Sequence, residues 1–264
     1  KQAIDYSKII HEMFLRRELI KISDKLNSDT LNANSEEQDA ENIIEGTEKL
    51  LFDLAERGSF SQSFLKFNQA LDQTIEMATL AMQSDQGIVG VPTVLTDLDE
   101  KLGGLHRSDL VIIAGRPSMG KTALAMNIAE TCALKQNKAV AIFSMEMGAE
   151  QIVTRLLGSV AKVHQQKMRT GELTEADWAE IADALGKLNE APLFIDEGSA
   201  LNSYELRARA RRLHHSTEGG LGLIVVDYIQ LMSPLGNGNG ENRATEISEI
   251  SRSLKSLAKE LNIP

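Results

Sequence analysis

Leu110–Ala114 is a short run of apolar, mostly β-branched residues, the pattern of a buried strand. It runs directly into Gly115-Arg116-Pro117-Ser118-Met119-Gly120-Lys121-Thr122, and strong helix formers follow in Ala123–Ala129. The glycine-bounded loop matches G-x-x-x-x-G-K-[ST], the Walker A pattern, with the strand before it and the helix after it that the pattern requires. Glycines at 115 and 120 let the backbone curl so that successive N–H groups converge on phosphate oxygens. A helix starting near Lys121 adds the positive end of its dipole. Lys121 is expected to reach the β- and γ-phosphates, and the Thr122 hydroxyl to ligate Mg²⁺. The nucleotide-binding set is therefore Gly115, Arg116, Pro117, Ser118, Met119, Gly120, Lys121 and Thr122, joined by the strand-ending acid Asp227.

Two carboxylates fall where such a loop needs them. Leu223-Ile224-Val225-Val226-Asp227 is an apolar run ending in an acid, a Walker B pattern, and Asp227 is expected to hold Mg²⁺ with Thr122. Ala139–Ser144 reads as another buried strand, followed by Met145-Glu146-Met147. Glu146 lies just past the carboxyl end of that strand, where ligands bind in open α/β sheets. Position alone leaves two readings of it: a base for the attacking water, or an acid favouring the start of the next helix.

The strand candidates are Leu110–Ala114, Val140–Ser144, Leu193–Ile195 and Leu223–Val226, with helical segments between them. Near-continuous apolar strands alternating with helices predict a mostly parallel sheet covered on both faces, an α/β fold. Ile247, Ile250, Leu254, Leu257 and Leu261 form one stripe of a last helix, with Arg252, Lys255 and Lys259 off it.

The first part of the chain is different. Residues 1–58 read as entirely helical, with stripes at Leu15, Leu19, Ile22 and Leu26, and at Ile43, Thr47, Leu50 and Leu54. Turn and capping residues in Asn27–Thr30 and Asn32–Ser35 separate them and predict a helical hairpin. A linker spans 59–92 and contains an amphipathic helix with Phe67, Leu71, Ile75, Ala78 and Met82 on one face. That helix has no core of its own and either folds back or docks on a neighbour. The α/β domain is expected over 93–264.

Net charge is −10, which excludes a generally basic nucleic-acid binder but not contacts through local basic residues. No window approaches about 18 consecutive apolar residues, so no membrane-spanning helix is expected. Cys132 is the only cysteine, so no disulfide forms within the chain, which fits a reducing cytoplasm. No signal peptide is expected, and Ile263-Pro264 reads as the entry to a further strand, so the chain is expected to be a piece of a longer protein. Ser233–Arg243 alternates Gly and Asn and ends in Gly240-Glu241-Asn242-Arg243. It is either a solvated loop or one that grips a phosphate backbone through Arg243 and backbone N–H groups. Arg207, Arg209, Arg211, Arg212, His214 and His215 share one helix and read as a mostly solvated face, with partner contact left open. The adjacent histidines do not have metal-ligand spacing.

Taken together these residues resemble the DnaB-type replicative helicase family. The resemblance is carried by Gly90-Val91-Pro92-Thr93, Thr96-Asp97-Leu98-Asp99, Gly103-Gly104-Leu105, Gly115–Thr122, Phe143–Met147, Asp227–Met232, and Glu241–Arg243 with Glu246–Lys255. Tyr6–Ile10 with Arg16–Ile20 looks like the hairpin that ends the family's N-terminal domain. The resemblance implies a homohexameric ring of RecA-like ATPase domains that encircles single-stranded DNA and unwinds duplex with ATP and Mg²⁺. It implies primase and a helicase loader as partners. It makes Glu146 the activating carboxylate and Lys121 a catalytic contact, assigns Gly240, Glu241, Asn242 and Arg243 to DNA, and docks the linker helix on an adjacent subunit. Val94-Leu95 stands where the family usually has Gly-Phe, so no role is carried over there. The resemblance places the arginine finger and polar sensor beyond Pro264, and so implies that the chain by itself hydrolyses ATP poorly. The other readings are a recombinase-like or clock-type ATPase, which should lack the preceding hairpin and linker helix, and an ATP-sensing replication scaffold.

Overall fold

The computed structural model describes residues 2–31, 67–83, 88–199, 201–233 and 243–264, with further positions between 40 and 54. The chain forms two compact units, Lys1–Thr74 and Ile75–Pro264.

In the first unit, helix α1 spans Gln2–Leu31. The turn expected at Asn27–Thr30 is absent, and the helix continues through it. Side-chain propensities there cost only about half a kcal/mol per residue, and the Thr30 hydroxyl folds back onto the Leu26 carbonyl at 2.7 Å instead of capping. Thr47 makes the same bond to Ile43, and both positions are helical. Ile22 and Leu26 line one side of a pocket whose other side is Ile43, Gly46, Thr47 and Leu50. Part of each stripe, Ile22 with Leu26 and Ile43 with Thr47 and Leu50, therefore lines one pocket.

Helix α2 (Phe67–Gln83) forms as its spacing predicts. Its stripe is bare, with Phe67 82%, Ile75 56% and Met82 88% exposed.

Within the second unit, Val91 and Leu105 form an antiparallel bridge. A Cβ at Gly90 would lie 2.3 Å from the Leu105 carbonyl oxygen, so only glycine permits this approach. Helix α3 (Thr96–Leu102) follows. Buried Asp99 reaches back from it, its Oδ1 accepting from the Thr93 amide at 2.7 Å and the Thr93 hydroxyl at 2.8 Å. The chain then runs through α4 (Lys121–Gln136), β1 (Ala139–Ser144), α5 (Ala149–Val160), α6 (Gln165–Thr170), α7 (Glu175–Glu190), β2 (Leu193–Asp196), α8 (Ser203–Ser216), β3 (Leu221–Asp227) and α9 (Arg243–Leu261).

The sheet has the order β2-β1-β3 and is parallel throughout. Every residue of β1 is buried, because helices cover both of its faces. Ala139, Ala141 and Phe143 point to one side, packing with Leu206 and Ala210 of α8 and Ile250, Leu254, Leu257 and Leu261 of α9. Val140 and Ile142 point to the other, against Met126, Ala129 and Cys132 of α4 and Ile152 and Leu156 of α5. Each large apolar side chain so covered contributes about 1.5–3 kcal/mol. Burial of Cys132 at this face pushes its thiol up to about 11. A smaller cluster joins Ala161 and Val163 to Ile181 and Ala184 of α7. No helix among the described residues is long and apolar enough to cross a membrane.

Two further expectations are corrected. Leu110–Ala114 is no strand of this sheet; Val111, Ile112 and Ile113 are 47%, 65% and 40% exposed, and only Leu110 touches the core. A strand needs a neighbour's amides, and on β3 the Ile224 amide is bonded to the Pro264 carbonyl at 3.1 Å. The basic face of α8 is likewise not mostly solvated. Arg207 is buried and bonds Glu260 of α9 at 2.8 Å, Arg211 bonds the same carboxylate, and Arg209 bonds Asp196 at 2.9 and 3.0 Å. His214 Nδ1 accepts from the Leu221 amide at 3.0 Å. Arg209, Arg212 and His215 remain exposed.

Candidate nucleotide site

The loop between Ala114 and α4 is held by its own backbone. The Met119 amide donates to the Arg116 carbonyl at 3.3 Å, and Ser118 and Gly120 take left-handed conformations with φ of 64° and 88°. At Gly120 a side chain would be strained. Gly120 also caps α4 without a side-chain bond, so the first amides of the helix have no side-chain acceptor at the cap. Arg116, Pro117, Ser118 and Met119 are exposed, while Lys121 and Thr122 are half-buried. The Lys121 stem lies over Gly115, where a Cβ would come 3.4 Å from its Cγ. Its ammonium sits 5.2 Å from the centre of the Tyr228 ring, a cation–π distance.

Asp227 is buried at the carboxyl end of β3. Thr122 Oγ1 donates to its Oδ2 at 2.9 Å. The strand register pairs Asp227 with Ser144, and the Asp227 carbonyl accepts from the Met145 amide at 2.9 Å. Glu146 follows at once, exposed at the same end of the sheet. The parallel pairing thus brings together residues from the loop, from β1 and from β3. The donor set at Thr122 and Asp227 is all oxygen, the chemistry that suits Mg²⁺. Among the described residues no group of three His, Cys, Asp or Glu side chains forms a metal site by itself.

Arg243 opens α9. Its guanidinium bonds Glu246 Oε2 at 2.7 Å and the Gln230 carbonyl in the tight turn Ile229–Leu231, and 45% of its side chain is exposed. Gly240, Glu241 and Asn242 lie outside the described residues. Sequence reasoning gave no role to Tyr228 or Ser144. An aromatic ring directly after the strand-ending acid was a usable signal, as was one hydroxyl closing an otherwise apolar strand.

A phosphate-loop helix, a parallel sheet and an acid bonded to the loop threonine define a RecA-like ATPase domain. The comparison with known proteins is narrower. The family model for the DnaB-like helicase C terminal domain matches residues 90–264, and the chain belongs to that family. It is 40% identical over 259 residues to the replicative DNA helicase DnaC of Bacillus subtilis, covering 98% of this chain and 56% of that protein. It is 42% identical over 264 residues to the replicative DNA helicase DnaB of Haemophilus influenzae, covering 98% and 55%. The chain thus spans about half the length of the curated relatives it matches. Among solved structures, a DnaB-like replicative helicase described with its interactions with primase aligns at TM-score 0.66 and 26% identity, over 97% of this chain and 58% of the other. A second solved structure, of an ATPase domain alone, aligns at TM-score 0.68 and 29% identity, over 76% and 69%. The resemblance read from the motifs is borne out at the level of family and fold.

Proposed function

We propose that the chain is the ATP-hydrolysing portion of a replicative DNA helicase that translocates on single-stranded DNA and opens duplex at the fork. The observation that carries this reading is the 2.9 Å bond from Thr122 to Asp227, which joins the phosphate loop to an acid whose register partner lies two residues from Glu146. Backbone N–H groups of the Gly115–Thr122 loop other than Pro117, with the start of α4, cradle the phosphates of ATP, and Lys121 leaves the Tyr228 face to meet the β- and γ-phosphates. Thr122 and Asp227 hold Mg²⁺, which when bound neutralises charge on the phosphate oxygens. Glu146 takes the proton of the attacking water as its oxygen bonds the γ-phosphorus, and the β–γ bridging oxygen departs with its electron pair.

The rest of the reading follows the family. Residues 1–58 form a helical hairpin, 59–92 a linker and 93–264 the ATPase domain. Six copies form a ring, and the bare stripe of α2 docks on an adjacent copy. Gly240, Glu241, Asn242 and Arg243 contact the phosphates of single-stranded DNA, Arg243 exchanging Glu246 or Gln230 for a phosphate oxygen. Primase and a loader bind the assembly, which works in the bacterial cytoplasm at the nucleoid.

Glu146→Gln in the full-length assembled protein tests the core of this reading. ATP binding is expected to persist while hydrolysis falls by about 10²-fold or more, the scale of a lost general base. Near-normal turnover would return Glu146 to a helix-opening acid. ATP hydrolysis without unwinding of a forked duplex by the wild type would favour the scaffold instead.

A further inference from the structure

The Glu146 carboxylate has no hydrogen bond or ion pair among the described residues, and its side chain is exposed. What the fold fixes is therefore the backbone from which the carboxylate reaches. That backbone is tied at three points, one for each strand of the sheet. From β3, the Asp227 carbonyl accepts from the Met145 amide at 2.9 Å, the residue before Glu146. From β1, the hydroxyl of Ser144, only 1% exposed, donates to the Met147 carbonyl at 2.7 Å and accepts from the Met147 amide at 3.2 Å. Ser144 thereby closes a small ring of chain with Glu146 inside it. From just past β2, Glu197 Oε2 accepts from the Ala149 amide at 2.8 Å. It supplies the cap that Gly148, at the start of α5, cannot.

We infer that Ser144 and Glu197 are positioning residues for Glu146, holding its turn over the loop so that the carboxylate meets the attacking water at a fixed place. The inference rests on Glu146 being the activating carboxylate. Catalysis of this kind is sensitive to placement, since a shift of about 1 Å can cost on the order of 10²-fold in rate. A Ser144→Ala substitution opens the ring and leaves the Met147 amide and carbonyl without their partner. Glu197→Ala frees the start of α5 from the end of β2, whereas Glu197→Gln keeps an oxygen for the Ala149 amide.

The test is DNA-stimulated ATP turnover and binding of a fluorescent ATP analogue, on the full-length assembled protein. Ser144→Ala and Glu197→Ala are each expected to lower kcat by about 10-fold or more. KM and the analogue's Kd should stay within about 2-fold of wild type, as for an interaction felt only in the transition state. Glu197→Gln should restore most of the loss. Placed on Glu146→Gln, Ser144→Ala should add nothing further, because the residue it positions is already disabled. Unchanged kcat in both alanine variants, beside a disabled Glu146→Gln, would overturn the inference and leave the Glu146 assignment standing. An equal loss with and without the Glu146 carboxylate would make both contacts merely structural. Normal turnover of Glu146→Gln would overturn the assignment itself, and the inference with it.

Discussion

Removing the Asp99 carboxylate should unlock the entrance to the ATPase unit. Asp99 is 7% exposed and Thr93 1% exposed. A single oxygen, Asp99 Oδ1, receives both the Thr93 amide and the Thr93 hydroxyl, at 2.7 and 2.8 Å. A hydrogen bond to a charged acceptor contributes about 1.5–3 kcal/mol, and a buried donor left alone costs the same order. Two such bonds sum to about 3–6 kcal/mol, less what folding already spends on desolvating the carboxylate, so Asp99→Ala should cost about 3 kcal/mol. Asp99→Asn keeps an oxygen at Oδ1 and should cost about 1 kcal/mol. For a unit of this size each kcal/mol lowers Tm by about 2–4 °C, giving a drop of about 6–12 °C for alanine against about 2–4 °C for asparagine. Circular dichroism during heating, with urea unfolding to confirm that the m-value is unchanged, measures both. Equal losses in the two variants, or a loss below about 1 kcal/mol in alanine, would refute the two-bond account.

Asp177, the third residue of α7, completes the capping box of Thr174, accepting from the Thr174 amide at 2.9 Å and hydroxyl at 2.7 Å, with Lys167 at 3.0 Å. The Thr174 amide first, then its hydroxyl, then Lys167 lower its carboxyl to about 2. A depressed carboxyl stabilises fully above its unfolded value of about 4, and the contribution fades as pH falls toward 2. The Tm advantage of wild type over Asp177→Asn should therefore shrink between pH 4 and pH 2; a constant gap would contradict this. Glu260 holds both Arg207 and Arg211, and Glu260→Gln removes the negative charge that the two guanidiniums share. Full burial would make the loss about 3–5 kcal/mol, and the partial exposure of Glu260 reduces it to about 2 kcal/mol, read by urea unfolding. A loss under about half a kcal/mol would place the pair with ordinary surface salt bridges.

What the chain disclosed in advance was whatever depends on neighbours in sequence. The runs at 139–144, 193–196 and 221–227 became strands because β-branched, apolar stretches bury well wherever helices cover them. The phosphate loop and its helix are local too. What sequence did not disclose depends on who stands beside whom. Leu110–Ala114 has the composition of a strand but no ladder, because pairing is settled by the neighbouring strand rather than by hydrophobicity. Asn27–Thr30 has turn residues inside a helix, because weak propensities yield to a 30-residue ladder of backbone bonds. Arg207 looked like solvated charge because its carboxylate lies on another helix. Glu197 stayed invisible for a similar reason: its partner is a backbone amide on another segment, which carries no residue-type signal.

The in-register pairing of Ser144 with Asp227 has a consequence for how such a chain can vary. Parallel strands advance about 3.3 Å per residue, so one residue inserted in β1 or β3 ahead of that pair would flip the side chains beyond it to the opposite face. Two inserted residues would restore the faces but carry Glu146 about 6.6 Å along the sheet from Asp227. The spacing of the two acids is thus metered by the hydrogen-bond ladder rather than by either side chain. Lineages of this domain should accept gained and lost residues in the surface connections and almost none between Ala139 and Ser144 or between Leu221 and Asp227.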